Sequence, residues 1–301
     1  MIGYRISRAQ LEALIDAEAP GRGANPSWLQ RAATRTAGFR NKGFYEEDSS
    51  IWSEVKVVYM RLQGGCKCAY CERKLEATDL GKVEQDVEHF RPKGSVKAWK
   101  APKALTNQGI VFTAAPPPGK GYYLLPYHPF NYSAACKPCN SSLKKDFFPI
   151  AGAYDLNGDD PVKLKKEKPY LICPVGDFDD PPEDLIKFHG VSPQAVAANG
   201  HDRARALVTI QFFRLDDEAK RKNLLRERAV IIIALHPQLE KLADGATANV
   251  KTEAQKVVDG FTAPTAPHTN CARSFNKLFK SDRAEAKAVF DRALSLITSI
   301  S

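Results

Sequence analysis

Two Cys-x-x-Cys pairs, Cys68/Cys71 and Cys136/Cys139, constrain this 301-residue chain more than any other feature. Thiolates two residues apart can grip one tetrahedral ion from a single turn, and two such pairs complete a closed site with metal–sulfur bonds of about 2.3 Å. The pairs therefore predict a Zn2+ ion tying two distant segments together. A closed four-thiolate site leaves no open coordination position, so the zinc is expected to be structural. Between Cys71 and Cys136 lie 64 residues, well beyond the spacing of a simple zinc ribbon, so the enclosed segment must hold structure of its own. Cys66 offers an alternative to Cys68 as ligand, but Cys68-Ala69-Tyr70-Cys71 keeps the two-residue spacing. The competing reading is a redox or incidental pair of motifs. Cys173 and Cys271 stand alone and read as buried small hydrophobes.

Around this knot the chain divides into four. Residues 1–65 read as helical: Leu11, Leu14 and Ile15 share one face after Ser7, and Ile51, Trp52, Val55, Val58, Tyr59 and Leu62 share another after Ser49 or Ser50. Gly64-Gly65 ends that helix. Residues 66–150 form a compact metal-bound core, with strands predicted at 87–90 and 122–126. A Pro-rich excursion spans 113–121, and a short helix is predicted to start near Cys136. Residues 151–200, rich in Pro, Gly and Asp, read as an irregular linker. Residues 201–301 return to helix, with a long one over 224–242 and a last one over 284–297. The predicted fold class is α+β, mostly helical around a zinc-bound centre.

Net charge is +9, and 13 Lys and Arg against 7 Asp and Glu place two thirds of it between Cys66 and Ile150. A basic balance favours a polyanionic partner such as nucleic acid. No apolar run approaches the roughly 18 to 20 residues of a membrane span. The first ten residues lack a secretory pattern, and seven cysteines suit a reducing compartment, so a cytoplasmic protein is expected.

Inside the segment closed by zinc lies Asp86-Val87-Glu88-His89-Phe90-Arg91-Pro92-Lys93. The second cysteine pair is preceded by Asn131 and followed directly by Asn140, with Lys144 and Lys145 a turn later. The pattern Glu88-His89, Asn131 and Cys139-Asn140 resembles the HNH endonuclease family. The strings CAYCE, DVEHFRPK and CKPCNSSLKKDFFP look like the subgroup found beside ATPases in bacterial retron and Septu-type defence systems. The resemblance covers roughly residues 60 to 230. The chain departs from the pattern in its Pro-rich excursion and in an extra residue around Leu143, which leaves Lys144 and Lys145 competing for the family's basic position.

The resemblance implies a ββα-metal core, with His89 as catalytic base, Asn131 bracing the loop, and Glu88 and Asn140 holding a catalytic cation. A histidine suits the role because its unperturbed pKa lies near neutrality. Two oxygen donors favour Mg2+ or Mn2+ over Zn2+ at that second site. Arg91, Lys93 and Lys144 are candidate phosphate contacts. The implied substrate is DNA, with RNA left open, and the implied setting is anti-phage defence with an ATPase partner. The rival expectation is a zinc-stabilised nucleic-acid-binding or partner-docking module without catalysis of its own.

Overall fold

The computed structural model describes residues 1–18, 26–65, 67–243 and 245–298. Helix α1 (Arg8–Glu18) buries Leu11 and Ile15. Hydrophobic spacing does not announce helix α2 (Trp28–Lys42), but local chemistry does. Ser27 and Gln30 form a reciprocal capping box at its start, and Gly43 ends it at φ 77°, a left-handed conformation open to glycine. The helix expected after Ser49 or Ser50 begins instead as an uncapped 3-10 turn (Trp52–Val55) and continues as α3 (Lys56–Leu62). These helices close over Tyr127, Phe130 and Tyr132 to form one apolar cluster.

Helix α4 (Thr78–Glu84) runs directly into strand β1 (Gln85–His89), which pairs antiparallel with β2 (Tyr132–Cys136). The register sets Gln85 opposite Cys136 and His89 opposite Tyr132. The expected strand at 87–90 is thus present, shifted towards its N-terminus. The one expected at 122–126 is not. That segment is a run of tight turns, with Leu125 N donating to Tyr122 O at 2.9 Å and His128 N to Leu125 O at 3.2 Å. Pro126 and Pro129 have no N–H to give a ladder. The strand that replaces it, β2, is buried at every position, so it shows no alternation to read.

Helix α5 (Lys103–Thr106) lies within the long segment between the two cysteine pairs. The helix expected near Cys136 forms at Pro138–Lys144 as a π-helix, with Lys145 N donating to Asn140 O at 2.8 Å.

Residues 151–200 carry more order than a linker needs: a 3-10 turn (Lys163–Glu167), helix α6 (Pro182–Leu185), and strands β3 (Ile186–His189) and β4 (Ser192–Ala195), paired antiparallel. Then come α7 (Gly200–Phe212), α8 (Glu218–Ala243), α9 (Ala248–Thr262), α10 (Thr269–Ser281) and α11 (Arg283–Thr298). Helices α9, α10 and α11 pack against α8, α7 packs against α6 and β4, and all share one apolar core with the cysteine loops. Near its start α8 bends at Arg221, whose φ of −126° and ψ of 30° are not helical. Among the described residues the architecture is α+β, helix-rich with two small two-stranded sheets, and no helix is long and apolar enough to cross a membrane.

Candidate functional site

The four sulfurs of Cys68, Cys71, Cys136 and Cys139 are buried and lie within 4.8 Å of one another. Cys71 Sγ and Cys136 Sγ are 3.9 Å apart. A tetrahedral ion with 2.3 Å bonds to sulfur requires edges of about 3.8 Å, so the donor set fits one structural metal such as zinc. The surroundings suit the negative charge of four thiolates. The backbone N–H of Cys136 reaches Cys68 Sγ at 3.4 Å, and the Arg221 guanidinium lies 3.8 Å and 3.9 Å from Cys139 Sγ. The bend in α8 falls at this arginine. Cys68 is the member of the cluster, and Cys66 lies outside the described residues. Cys173 and Cys271 are buried elsewhere, and burial pushes the Cys271 thiol up to about 12.

Strand β1 presents alternate residues to two different neighbours. On the side of the π-helix, Asp86 accepts from the Asn140 amide at 3.1 Å and the Ser141 hydroxyl at 3.2 Å. Two residues on, Glu88 pairs with Lys144 Nζ at 3.1 Å and accepts from the Tyr70 hydroxyl. Glu88 and Lys144 are 1% and 0% exposed, so this pair is sealed from water. Lys144 also donates to the carbonyl of His89 at 3.2 Å, which assigns it, and not Lys145, to the inward position. Asn140 and Lys144 do face β1 from successive turns, but Asn140 meets Asp86 while Lys144 takes Glu88. Glu88 and Asn140, the expected pair, thus take different partners.

The His89 side chain leaves the strand on the opposite side. It is half-buried between Trp52 and Tyr132, with ring centroids 5.1 Å from each and both contacts edge-on. Its Nε2 is 3.2 Å from the carbonyl of Pro126. A carbonyl only accepts, so Nε2 carries the hydrogen and Nδ1 keeps a lone pair. Burial, and then the neighbouring charge of Lys93, holds the imidazole well below its usual pKa. His89 is therefore a neutral, oriented acceptor at neutral pH. Lys93 stands beside it, its ammonium 4.2 Å from the centre of the Trp52 ring.

Asn131 is fully buried and clamps the residue after next from His89. Its Oδ1 accepts from Arg91 N at 2.7 Å, while Nδ2 donates to Arg91 O at 3.1 Å and Leu125 O at 3.0 Å. This side chain completes the ladder where β1 stops. The Arg91 guanidinium is not displayed to solvent as a surface phosphate contact would be. It is 1% exposed, paired with Glu167 at 3.1 Å and lying 5.0 Å from the centre of the Phe148 ring. Lys144 is likewise withdrawn, which leaves Lys93 as the candidate phosphate contact beside His89.

Several groups that shape the site give little signal in sequence. Tyr70 sits between two cysteines and reads as spacing filler. Glu167 lies 76 residues from the arginine it neutralises. Trp52 falls on an apolar helical stripe and reads as core. Asp86 reads in sequence as a turn residue or salt-bridge partner sooner than as a metal neighbour.

The chain matches no protein-family model and no solved structure. It is 30% identical over 175 residues to the Septu protein PtuB of Bacillus mycoides (strain KBAB4). That match takes in 54% of this chain and 52% of the relative, so the chain spans about half the length of the curated relative it resembles.

Proposed function

We propose that this chain is a metal-dependent HNH endonuclease that cuts DNA in anti-phage defence, working with an ATPase partner. The likeness to a Septu protein supports the setting. The observation that carries the chemistry is His89: a neutral imidazole at a strand end, with one nitrogen tied to a carbonyl and the other left as a base. The antiparallel pair β1–β2 followed by a helical turn agrees with a ββα arrangement, and the four thiolates hold that turn in place.

In this reading His89 Nδ1 takes a proton from the attacking water. Trp52 and Tyr132 keep the ring from turning, and Lys93 offers its ammonium to the phosphate. Asn131 holds the backbone that follows His89. A divalent cation, when bound, supplies charge stabilisation at the scissile phosphate and leaving oxygen. Glu88 and Asn140 do not fit as its joint ligands, because Lys144 and Tyr70 occupy the Glu88 carboxylate. The oxygen donors beside Asn140 are the Ser141 hydroxyl and the Asp86 carboxylate, which is paired with Lys137 at 3.4 Å but, unlike Glu88, is partly open to solvent; these are hard ligands of the kind Mg2+ or Mn2+ takes. These lie on the other side of β1 from the His89 ring, so no step is routed through the ion.

The test is nicking of supercoiled plasmid by the full chain with Mg2+, alone and with an ATPase encoded beside it. His89→Ala should abolish nicking while leaving DNA binding intact. Equal nicking by the variant would defeat the enzyme reading. The sealed Glu88–Lys144 pair favours one rival, a zinc-stabilised nucleic-acid-binding module; DNA binding without nicking by the native chain under every condition would establish it.

A further inference from the structure

Past Lys93 the aromatic surroundings of His89 continue into a cavity. The Lys93 ammonium lies 4.2 Å from the ring centre of Trp52, which touches His89, and 5.6 Å from that of Tyr45. Tyr45 in turn lines a cavity of about 220 Å³ together with Phe44, Tyr123, Gly94, Lys120 and Asn157. Gly94 follows Lys93 directly, so the cavity wall begins one Cα step, about 3.8 Å, from the candidate phosphate contact. Phe44 is 46% exposed, and Tyr45 and Tyr123 are half-buried. Both tyrosine hydroxyls are already engaged: Tyr45 donates to Glu47 at 3.2 Å and Tyr123 to Asn157 Oδ1 at 2.9 Å. What these residues still offer a ligand is ring surface and the amide hydrogens of Asn157.

The charge beside the cavity is one-sided. No acid lines it. Of the carboxylates whose charge acts on Lys93, Asp146 pairs with Lys97 at 2.7 Å, Glu88 with Lys144 at 3.1 Å, and Glu47 with Arg35. Next to the lining, Glu46 pairs with Lys42 at 3.2 Å and Asp155 with Lys166 at 2.8 Å. Lys93 and Lys120 are held in no ion pair among the described residues, which leaves two positive charges without an answering acid. The site therefore combines uncharged aromatic walls with two free ammoniums at its edge. A nucleotide has the matching halves, a flat base that stacks on rings and a phosphate that takes cations. The cavity is smaller than the roughly 300 Å³ of sites that enclose a whole small molecule, so it suits one base with the sugar and phosphate outside.

We propose that this cavity takes a single base, of a nucleic-acid strand or a free nucleotide, stacked on Phe44 with its phosphate at Lys93 and Lys120. The proposal rests on reading Lys93 as the phosphate contact of the nuclease site, and it adds what seats the neighbouring nucleotide. A base held there fixes the adjoining phosphate beside His89 without regard to sequence, because every base has a face to stack. A base inside a duplex is already stacked on its neighbours, so the site favours single strands and unpaired ends.

Fluorescence anisotropy of a labelled single-stranded oligothymidine with the full chain, without added divalent ion, tests the proposal. The native chain should bind this strand at least about fivefold more tightly than an abasic strand of equal length. Phe44→Ala, altered only at an exposed ring and checked for an unchanged unfolding midpoint, should bind the two strands alike. Lys120→Gln should weaken both and lower the slope of log affinity against log salt by about 0.7. Competition by thymidine monophosphate as strong, per nucleotide, as by unlabelled strand would assign the cavity to the free nucleotide; weaker competition would assign it to the strand. Equal native affinity for the two strands, no binding of either, a base preference kept by Phe44→Ala, or an unchanged salt slope in Lys120→Gln would overturn the proposal. Plasmid nicking with Mg2+ is scored separately. Nicking without a base preference would sink this pocket alone, and a base preference without nicking would sink the nuclease reading alone.

Discussion

The Glu88–Lys144 pair gives the sharpest test of how the site is built. The two charges sit 3.1 Å apart with almost no exposure. At an effective dielectric constant of about 20 their attraction is about 5 kcal/mol, most of it offset by the cost of taking both ions out of water. Removing only Lys144 keeps the cost and loses the attraction. Lys144→Met should therefore destabilise the protein by about 3–5 kcal/mol, including about 1 kcal/mol for the His89 carbonyl left without its donor. Adding Glu88→Gln removes the stranded charge and keeps an acceptor for Tyr70, so the double variant should recover about 1–3 kcal/mol. Urea unfolding followed by far-ultraviolet circular dichroism, at fixed zinc concentration, measures all three proteins. A Lys144→Met cost below about 1 kcal/mol, or effects that simply add, would refute the reasoning. Glu88 would then be free to serve as a metal ligand after all.

Three further outcomes follow from the geometry. One zinc per chain should be found by elemental analysis, and Cys136→Ser or chelation should lower the unfolding midpoint and release the ion, since binding energy at such sites is folding energy. Acid should destabilise the protein. His89 and His268 are held below their ordinary pKa chiefly by burial, and His128 is brought down to about 4 by burial and then Arg8. Between those folded values and the unfolded value of about 6.5 the unfolded state binds more protons, so stability present above pH 6.5 is lost as pH falls. Unfolding midpoints across pH 4–8 check this, and His128→Gln should flatten the slope. Under the nuclease reading, Asp86→Asn should raise the Mg2+ concentration needed for half-maximal nicking at least about tenfold. Glu88→Gln should leave that requirement within about twofold of native; the reverse ranking would return the cation to Glu88.

What the sequence revealed and what it hid follow the range of the interactions. The cysteine pairs were legible because their geometry is local, two residues and one turn at a time. Asn131 and Asn140 stood out through motif position; Asn140 bonds Asp86 on β1, and Asn131 bonds Arg91 just past its end. Arg91 and Lys144 read as candidate phosphate contacts because spacing carries no information about burial. Each is neutralised by an acid 76 or 56 residues away, a pairing that exists only after folding. The partner strand was misplaced for a similar reason. Tyr132-Ser133-Ala134-Ala135-Cys136 has small residues and no alternation, because both of its faces are covered. The aromatic 122–126 segment looked more strand-like, but its donors go to turns and to the carbonyl of Pro92. Residues 151–200 read as a linker from composition alone, yet they supply Glu167 and the β3–β4 hairpin.

Tyr70 has a consequence beyond its own contacts. It is carried on the two-residue bridge between Cys68 and Cys71, lies face to face with Phe213 at the end of α7 with centroids 4.1 Å apart, and holds the Glu88 carboxylate. Whatever sets the conformation of that bridge also sets how a carboxylate on a neighbouring strand is held. The cysteine cluster is thus wired to β1 through one phenol, and loss of a metal held there should loosen the Glu88 carboxylate.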